Sequence, residues 1–207
     1  TQPMLFTKLR FFACLTCLAL AACIAQAAEP SFLVINYHDI IDEEEERVPP
    51  FDQVAVSRDH FESHIAWLKK HGYHVISVQD VLAAAAGQRA LPSKALLLTF
   101  DDGFQSFYSK VFPLLKKYHY PATVALVGTW VEGKNKPDMP GNKSMLTWKQ
   151  VRELAKSGLV EIASHSYDLH QGIPANPQGN AQAAAITRRF DSLSQSYEDD
   201  EAYRRRI

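Results

Sequence analysis

The sequence predicts an α/β fold with a parallel sheet, in the form of an incomplete (β/α) barrel. Short apolar segments rich in β-branched residues recur along the chain, and segments with helical spacing of apolar residues separate them. Such alternation is typical of parallel βα units. The units are too few for a complete barrel, and the last stretch, YEDDEAYRRRI, has the pattern of a helix that stops uncapped at Ile207. We therefore expect a truncated domain.

Five segments are predicted to form the strands of this sheet. They are rich in apolar residues, and polar or glycine-containing stretches bound them. The third segment, KALLLTF, is apolar along most of its length, which is typical of a parallel strand buried on both faces. The five predicted strands are residues 31–38, 73–77, 94–100, 121–128 and 159–164.

The first predicted helix lies between the first two strands. Ser57 is a suitable N-cap, because its side chain can accept a hydrogen bond from the first turn. Phe61, Ile65 and Leu68 follow at helical spacing and form one apolar side. Gly72 is a suitable end, because glycine tolerates the left-handed conformation in which helices often stop.

Three further helices are predicted from the same kinds of signal. A short helix covers 80–86, and a longer one follows Gly103. Pro113 lies inside the longer helix and predicts a break, because proline lacks the N–H that a helix needs. The fourth helix is capped by Thr147 and runs to Ser157.

The first 27 residues have the pattern of a secretory signal, so the folded domain is expected to span 28–207. Two basic residues precede an apolar segment, 11–22, that is too short for a comfortable membrane span. The stretch LAAC, which ends at Cys23, resembles the bacterial lipoprotein signal, in which the cysteine carries the lipid. The alternative is ordinary cleavage after AQA at 25–27, which would release a soluble protein.

Composition excludes several classes of function. The formal net charge is −1, so no basic excess indicates binding to nucleic acid or to an anionic membrane surface. All three cysteines, Cys14, Cys17 and Cys23, lie in the signal segment. The predicted domain therefore has no disulfide, no thiolate metal site and no cysteine nucleophile.

Polar clusters follow three of the predicted strands. His38 follows the first, Asp101 and Asp102 follow the third, and residues 165–170 open a predicted long loop, HSYDLHQGIPANPQGN, after the fifth. In parallel α/β folds the chemistry gathers at the C-terminal ends of the strands. We therefore expect these side chains to lie at one end of the sheet.

Asp102, His165 and His170 together predict a metal site. Two imidazoles and one carboxylate suit Zn²⁺, and three protein ligands leave a position open, as in catalytic zinc sites. A bound cation also explains why two carboxylates stand side by side, because it offsets their repulsion. The second carboxylate could then act as general base. Gly103 lets the chain turn so that both reach one pocket, and the residues alone leave open which aspartate has which role.

Simpler interpretations of these residues also exist. An isolated Asp-Asp-Gly is usually a turn, and a pair of histidines in a loop is usually surface. HFESH places His60 and His64 one helical turn apart, a spacing that can bind metal. The predicted helix that carries this pair would lie outside the sheet, so we expect both histidines to be surface residues.

Two motifs together resemble a known family. TFDDG at 99–103, followed by SHSYDLH at 164–170, is similar to the polysaccharide deacetylase family, carbohydrate esterase family 4, which shares the NodB homology domain. The family's second motif usually has histidines four apart. Here they are five apart, which resembles the poly-β-1,6-N-acetyl-D-glucosamine N-deacetylases of Gram-negative biofilm export. NYHDI, FQSFYSKVFPLLKKY and TWKQVRELAKSGLVEIASHS also resemble that branch, and the resemblance extends over residues 30–207.

The resemblance implies a distorted (β/α) barrel of the NodB type and assigns roles to individual residues. Asp101 matches the general base. His38 and Gly103 match residues of the substrate pocket. The implied metal ligands are Asp102, His165 and His170. The implied cofactor is a divalent metal, Zn²⁺ first, with Ni²⁺, Co²⁺ or Fe²⁺ as alternatives.

The implied activity is hydrolytic removal of N-acetyl groups from a β-1,6-linked N-acetyl-D-glucosamine exopolysaccharide during biofilm matrix export. The expected partners are this polysaccharide, the membrane through a lipid on Cys23, and an outer-membrane export porin as a further candidate. The expected location is the periplasm, anchored to the outer membrane as a lipoprotein, with a soluble periplasmic or secreted protein as the alternative.

Two elements that the resemblance implies have no match before Ile207: an arginine that orients the base and a histidine that acts as general acid. Two other functions also stay open. One is deacetylation of chitin, peptidoglycan or acetyl-xylan, and the other is a binding module that holds polysaccharide without turnover. The histidine spacing favours the β-1,6 polymer, and the intact set of aspartates and histidines favours an enzyme.

Overall fold

A parallel sheet of five strands lies at the centre of the fold in the computed structural model, which describes residues 31–42, 54–135 and 143–207. All five predicted strands form within their predicted segments. The strands of this sheet are β1 (Leu33–Tyr37), β4 (His74–Ile76), β5 (Ala95–Phe100), β6 (Ala122–Leu126) and β7 (Val160–Ser164). Between β1 and β4, β2 (Ile40–Ile41) and β3 (Val56–Ser57) form a separate parallel pair.

The register of β5 shows how the sheet is built. One edge of β5 pairs with β1 from Leu96 to Phe100. The other edge is shared, because β4 pairs with 95–97 and β6 pairs with Thr99 and Phe100. β4 and β6 therefore diverge along that edge, and β7 continues the sheet beyond β6. This arrangement agrees with the predicted incomplete barrel.

Several helices share a continuous apolar core with the sheet. The helices are α1 (Arg58–Lys70), α2 (Val78–Ala85), a π-helix (Phe107–Val111), α3 (Phe112–Tyr118), α4 (Gly128–Val131), α5 (Trp148–Lys156) and α6 (Asp200–Arg206). Side chains from α1, the π-helix, α3 and α5 join Leu96, Leu98 and Phe100 of β5 in this core. Ala95 and Leu97, on the other face of β5, are also buried, so this strand is buried on both faces as predicted.

Side-chain caps define where the main helices begin. Ser57 caps α1 by accepting a hydrogen bond from the backbone N–H of His60. Thr147 and Gln150 form a reciprocal capping box at α5. Ser77 and Asp80 form another at α2, which therefore begins at Val78, earlier than the predicted 80–86. In the structure, Asp80 lies in the first turn of α2, two residues after the start of the helix.

The predicted break at Pro113 is confirmed, and it takes the form of a wider turn. The backbone N–H of Phe112 donates to the carbonyl of Phe107, five residues back, so a π-helix precedes α3. Proline cannot donate a hydrogen bond, and its ring crowds the carbonyl four residues before it. The π-turn therefore changes the hydrogen-bond pattern where Pro113 would otherwise interrupt it.

The predicted long loop after β7 is only partly correct, because it contains a hairpin. β8 (Gly172–Pro174) pairs antiparallel with β9 (Ala181–Ala183). The side chain of Asn176 accepts hydrogen bonds from the backbone N–H groups of Gln178 and Asn180, and these bonds close the turn. A second hairpin follows, formed by β10 (Phe190–Asp191) and β11 (Ser196–Tyr197).

Several predictions fall on residues that the structure does not describe. The signal segment with Cys23 lies outside the described residues, as does most of the acidic run after Ile41. Among the described residues, none of the helices has the length and apolar character required to span a bilayer.

Candidate metal centre

The predicted polar clusters meet at the C-terminal end of the sheet. The backbone N–H of Asp101 donates to the carbonyl of Tyr37, the last residue of β1, at 2.9 Å. The backbone N–H of His165 donates to the carbonyl of Leu126, the last residue of β6, at 2.8 Å. Strand pairing therefore brings together residues that are far apart in the sequence, as the βα pattern predicted.

The turn after β5 directs both carboxylates toward the site. Asp102 has a φ of 75° and Gly103 a φ of 81°, so two consecutive residues adopt the left-handed conformation. A Cβ on Gly103 would lie 2.8 Å from Cδ2 of Leu126, so the position requires glycine for space as well as for conformation. Strain of this kind at a non-glycine residue is typical of functional sites.

Asp102, His165 and His170 form the predicted cluster. Oδ1 of Asp102 lies 3.3 Å from Nε2 of His170 and 3.6 Å from Nε2 of His165. One ligand atom from each residue lies within 4.8 Å of the others. Among the residues that the structure describes, this is the one cluster of histidine and acidic side chains with such spacing.

The buried carboxylate of Asp102 fits a cation site. Its side chain is 1% exposed, and Oδ1 has no hydrogen-bond partner among the described residues. Burial raises the pKa of Asp102, whereas the neighbouring His170, His38 and His165 lower it. A buried acceptor without a donor is costly unless a positive group pairs with it. The carboxylate and two imidazoles therefore fit a divalent metal.

Backbone hydrogen bonds hold the loop that supplies both histidines. The N–H of Gly128 donates to the carbonyl of Ser166 at 3.1 Å, and the N–H of Thr129 donates to that of Tyr167 at 2.8 Å. Gly128 is again a close approach, because a Cβ there would lie 2.5 Å from Cδ2 of Tyr167. The start of α4 therefore positions this loop.

Side chains around α4 add to this support. Thr129 and Asn135 both donate to Oδ1 of Asp168, at 3.1 Å and 2.8 Å. The ring of Trp130 packs edge-on against the imidazole of His170, with centroids 4.8 Å apart. Supports of this kind fix the orientation of metal ligands. No local pattern in the sequence indicates these supports, because they come from a segment remote from both motifs.

Asp101 has a different environment from Asp102. It is half-buried, and Nδ2 of Asn36 donates to its Oδ2 at 2.8 Å. Sequence reasoning missed Asn36. A usable signal was present, since Asn36 is a polar residue inside the apolar strand LVINY.

His38 and Gly103 are the two residues predicted to shape the substrate pocket. His38 is half-buried after β1, close enough to Asp102 for its charge to lower the pKa of that carboxyl. Gly103 is buried, and its carbonyl accepts from the N–H of Leu146. These positions put both residues at the site, and their roles toward substrate stay predictions.

A cleft of about 850 Å³ opens beside the cluster of Asp102, His165 and His170. Its walls include His165, His170, Trp130 and small residues of the β8–β9 hairpin.

The other histidine pair with a metal-binding spacing, His60 and His64, lies on α1 instead. There, Nδ1 of His64 contacts the hydroxyl of Tyr37 at 3.1 Å. Both histidines are exposed, as expected.

Comparison with known proteins places this site in context. Residues 88–205 match the family described as Polysaccharide deacetylase. The poly-β-1,6-N-acetyl-D-glucosamine N-deacetylase of Escherichia coli is 37% identical over 182 residues, which are 85% of this chain and 26% of that protein. The chain therefore spans about a quarter of the length of this relative.

Solved structures show the same fold. A de-N-acetylase from Aggregatibacter actinomycetemcomitans has a TM-score of 0.75 at 37% identity, over 84% of this chain and 69% of that one. The deacetylase domain of BpsB from Bordetella bronchiseptica has a TM-score of 0.69 at 41% identity, over 86% of this chain and 71% of that one.

The geometry predicts that Asp102→Asn removes metal binding while stabilising the metal-free protein. Because burial raises the pKa of Asp102, its ionised form costs stability above that raised pKa, and the cost disappears as the carboxyl protonates at lower pH. We expect the melting temperature at pH 8 with chelator to rise by about 2–8 °C, from a penalty of roughly 1–2 kcal/mol.

The measurement is thermal unfolding of wild type and variant at pH 8, with chelator and with excess Zn²⁺. Asp101→Asn is the matched control and should keep the stabilisation by metal. If Asp102→Asn gained as much from Zn²⁺ as the wild type, the assignment of this ligand would be wrong.

Gly128→Ala should weaken metal binding by about tenfold or more, because the new Cβ displaces the loop that carries His165 and His170. Calorimetric titration with Zn²⁺ measures the effect. Adding Tyr167→Ala removes the ring that the Cβ would strike and should recover much of the affinity. No recovery in the double variant would contradict this account of the loop.

Proposed function

Because the chain belongs to the polysaccharide deacetylase family, we propose that the protein is a metal-dependent hydrolase that removes N-acetyl groups from a β-1,6-linked N-acetyl-D-glucosamine exopolysaccharide during biofilm matrix export. The observation that carries the proposal is the cluster of Asp102, His165 and His170, next to the half-buried carboxylate of Asp101 in the chain. The similarity to the Escherichia coli deacetylase supports the choice of polymer.

Asp102, His165 and His170 would hold the metal, and we propose Zn²⁺ because two imidazoles and one carboxylate suit it. A divalent metal there supplies Lewis acidity, which polarises an amide carbonyl and makes water more acidic. The cleft beside the cluster provides room for the sugar that carries the acetyl group.

In this proposal, Asp101 takes a proton from the attacking water. It lies next to the ligand Asp102 in the chain, yet its carboxylate is more accessible. We propose that His38, which is close enough to Asp102 to lower the pKa of that carboxyl, gives a proton to the departing nitrogen. The carbon–nitrogen bond then breaks, and acetate and a free amine leave.

We also propose a location, the periplasmic face of the outer membrane, with a lipid on Cys23. The support is the LAAC stretch after a basic and apolar segment. A lipid anchor would keep the enzyme close to a polymer that crosses the envelope, where an export porin is the candidate partner.

The full-length protein should release acetate from β-1,6-linked N-acetyl-glucosamine oligomers, and chelator should abolish the release. Asp101→Asn should lower kcat by about 10²–10⁴-fold, the usual contribution of a general base, with metal affinity retained. Release from β-1,4 oligomers alone would move the substrate to chitin. Binding of oligomers with no release from any polymer would favour the non-catalytic module.

The same assay tests His38. His38→Gln keeps a side chain of similar size and removes the proton donor, so kcat should fall about 10²-fold or more. His60→Gln, at an exposed position of α1, is the matched control and should leave kcat unchanged. Full activity of His38→Gln would exclude His38 as the acid.

Cys23→Ala tests the location. The variant should move from the membrane fraction to the soluble periplasmic fraction, because one side chain would carry the whole lipid anchor. Unchanged fractionation would contradict lipidation at Cys23.

A further inference from the structure

We infer that Asn36 and Thr99 form a relay of hydrogen bonds that positions the carboxylate of Asp101. The inference rests on the proposed function, in which Asp101 acts as the base. The hydroxyl of Thr99 donates to Oδ1 of Asn36 at 2.9 Å, and Nδ2 of Asn36 donates to Oδ2 of Asp101 at 2.8 Å. Thr99 and Asn36 are thus positioning residues.

Chemistry alone determines the direction of this relay. An ionised carboxylate only accepts hydrogen bonds, so the amide of Asn36 must present its NH₂ group to Asp101. Its oxygen then faces Thr99, and the hydroxyl of Thr99 must donate to it. The carboxylate of Asp101 cannot donate, so it fixes the orientation of the Asn36 amide, and the hydroxyl of Thr99 adds a second hydrogen bond that favours this orientation.

The register of the sheet makes the relay possible. Asn36 of β1 pairs directly with Thr99 of β5, so their side chains stand side by side on one face. Asp101 follows Thr99 by two residues along the same strand direction. A shift of one residue between β1 and β5 would turn Asn36 away from both partners.

Buried neighbours hold Asn36 in place although it lies on an exposed surface. Tyr37 is buried and stacks on Phe100, with ring centroids 5.4 Å apart. Asp39 is also buried, and its carboxylate accepts from Ser106 at 2.6 Å and from Lys143 at 2.7 Å. The chain on the C-terminal side of Asn36 is therefore anchored, which limits the freedom of its amide.

The relay occupies one oxygen of Asp101 and fixes the direction of the other. Among the described residues, Asn36 is the side chain that donates a hydrogen bond to Asp101. A bond to Oδ2 restricts rotation of the carboxylate, so that Oδ1 keeps a constant direction for proton transfer.

The test compares acetate release by the full-length wild type, Asn36→Ala, Thr99→Val and Thr99→Ser. Asn36→Ala should lower kcat by about 10- to 100-fold, less than loss of the base itself, with KM and Zn²⁺ affinity within about twofold. Thr99→Val, which removes only the hydroxyl, should lower kcat by about 3- to 10-fold, and Thr99→Ser should retain wild-type activity.

Val34→Ala is the matched control, because Val34 lies on the same face of β1 and is 54% exposed. It should leave kcat unchanged. Wild-type kcat in Asn36→Ala would overturn the inference. A fall in Zn²⁺ affinity as large as the fall in kcat would also overturn it. So would a clear fall in melting temperature, since either result would indicate a structural role.

Crystal structures of wild type and Asn36→Ala provide a readout that does not depend on activity. The inference predicts one Asp101 rotamer in the wild type and a rotated or split carboxylate in the variant. An unchanged carboxylate in the variant would overturn it. If no polymer yields acetate while the rotamer changes as expected, the proposed function fails and the positioning by Asn36 stands.

Discussion

The strand β5 ends in a turn of two consecutive left-handed residues, Asp102 and Gly103, and the whole site is arranged around it. A straight strand would send the side chains of Asp101 and Asp102 to opposite faces. The turn carries two costs, because a non-glycine residue at positive φ is strained and the carboxylate of Asp102 is buried. A cation at Oδ1 offsets the second cost, so the local conformation and metal binding are coupled.

The same turn also connects the segments that supply and support the ligands. The carbonyl of Gly103 accepts from Leu146 at 2.9 Å, which ties the segment before α5 to the end of β5. The carbonyl of Asp102 lies 3.5 Å from the N–H of Val127, the residue before α4. Since α4 in turn holds the histidine loop, few backbone contacts separate Asp102 from its partner ligands. A disturbance in any of these segments therefore reaches the metal centre.

Local signals were sufficient for most of the fold and for the clustering of Asp102, His165 and His170. The strands, the caps at Ser57 and Thr147 and the break at Pro113 depend on residues within a few positions of one another, so the sequence shows them directly. The hairpin after β7 was missed, because the bonds from Asn176 that close it look like any polar loop in sequence. Asn36 was missed for another reason. A polar residue inside an apolar strand is a local signal that something unusual occurs there, but the partners of Asn36 depend on the register between β1 and β5, which the local pattern does not show.

The structure also explains why adjacent aspartates can have different tasks. Asp102 is buried among histidines, where a low dielectric strengthens its attraction for a cation. The proposed role of Asp101 as a base requires access to water, and Asp101 is only half-buried. The geometry of the loop accounts for the spacing of five residues between His165 and His170. Ser166 adopts a φ of 71°, so the loop is irregular and its length is set by the hydrogen bonds to α4 rather than by helical periodicity.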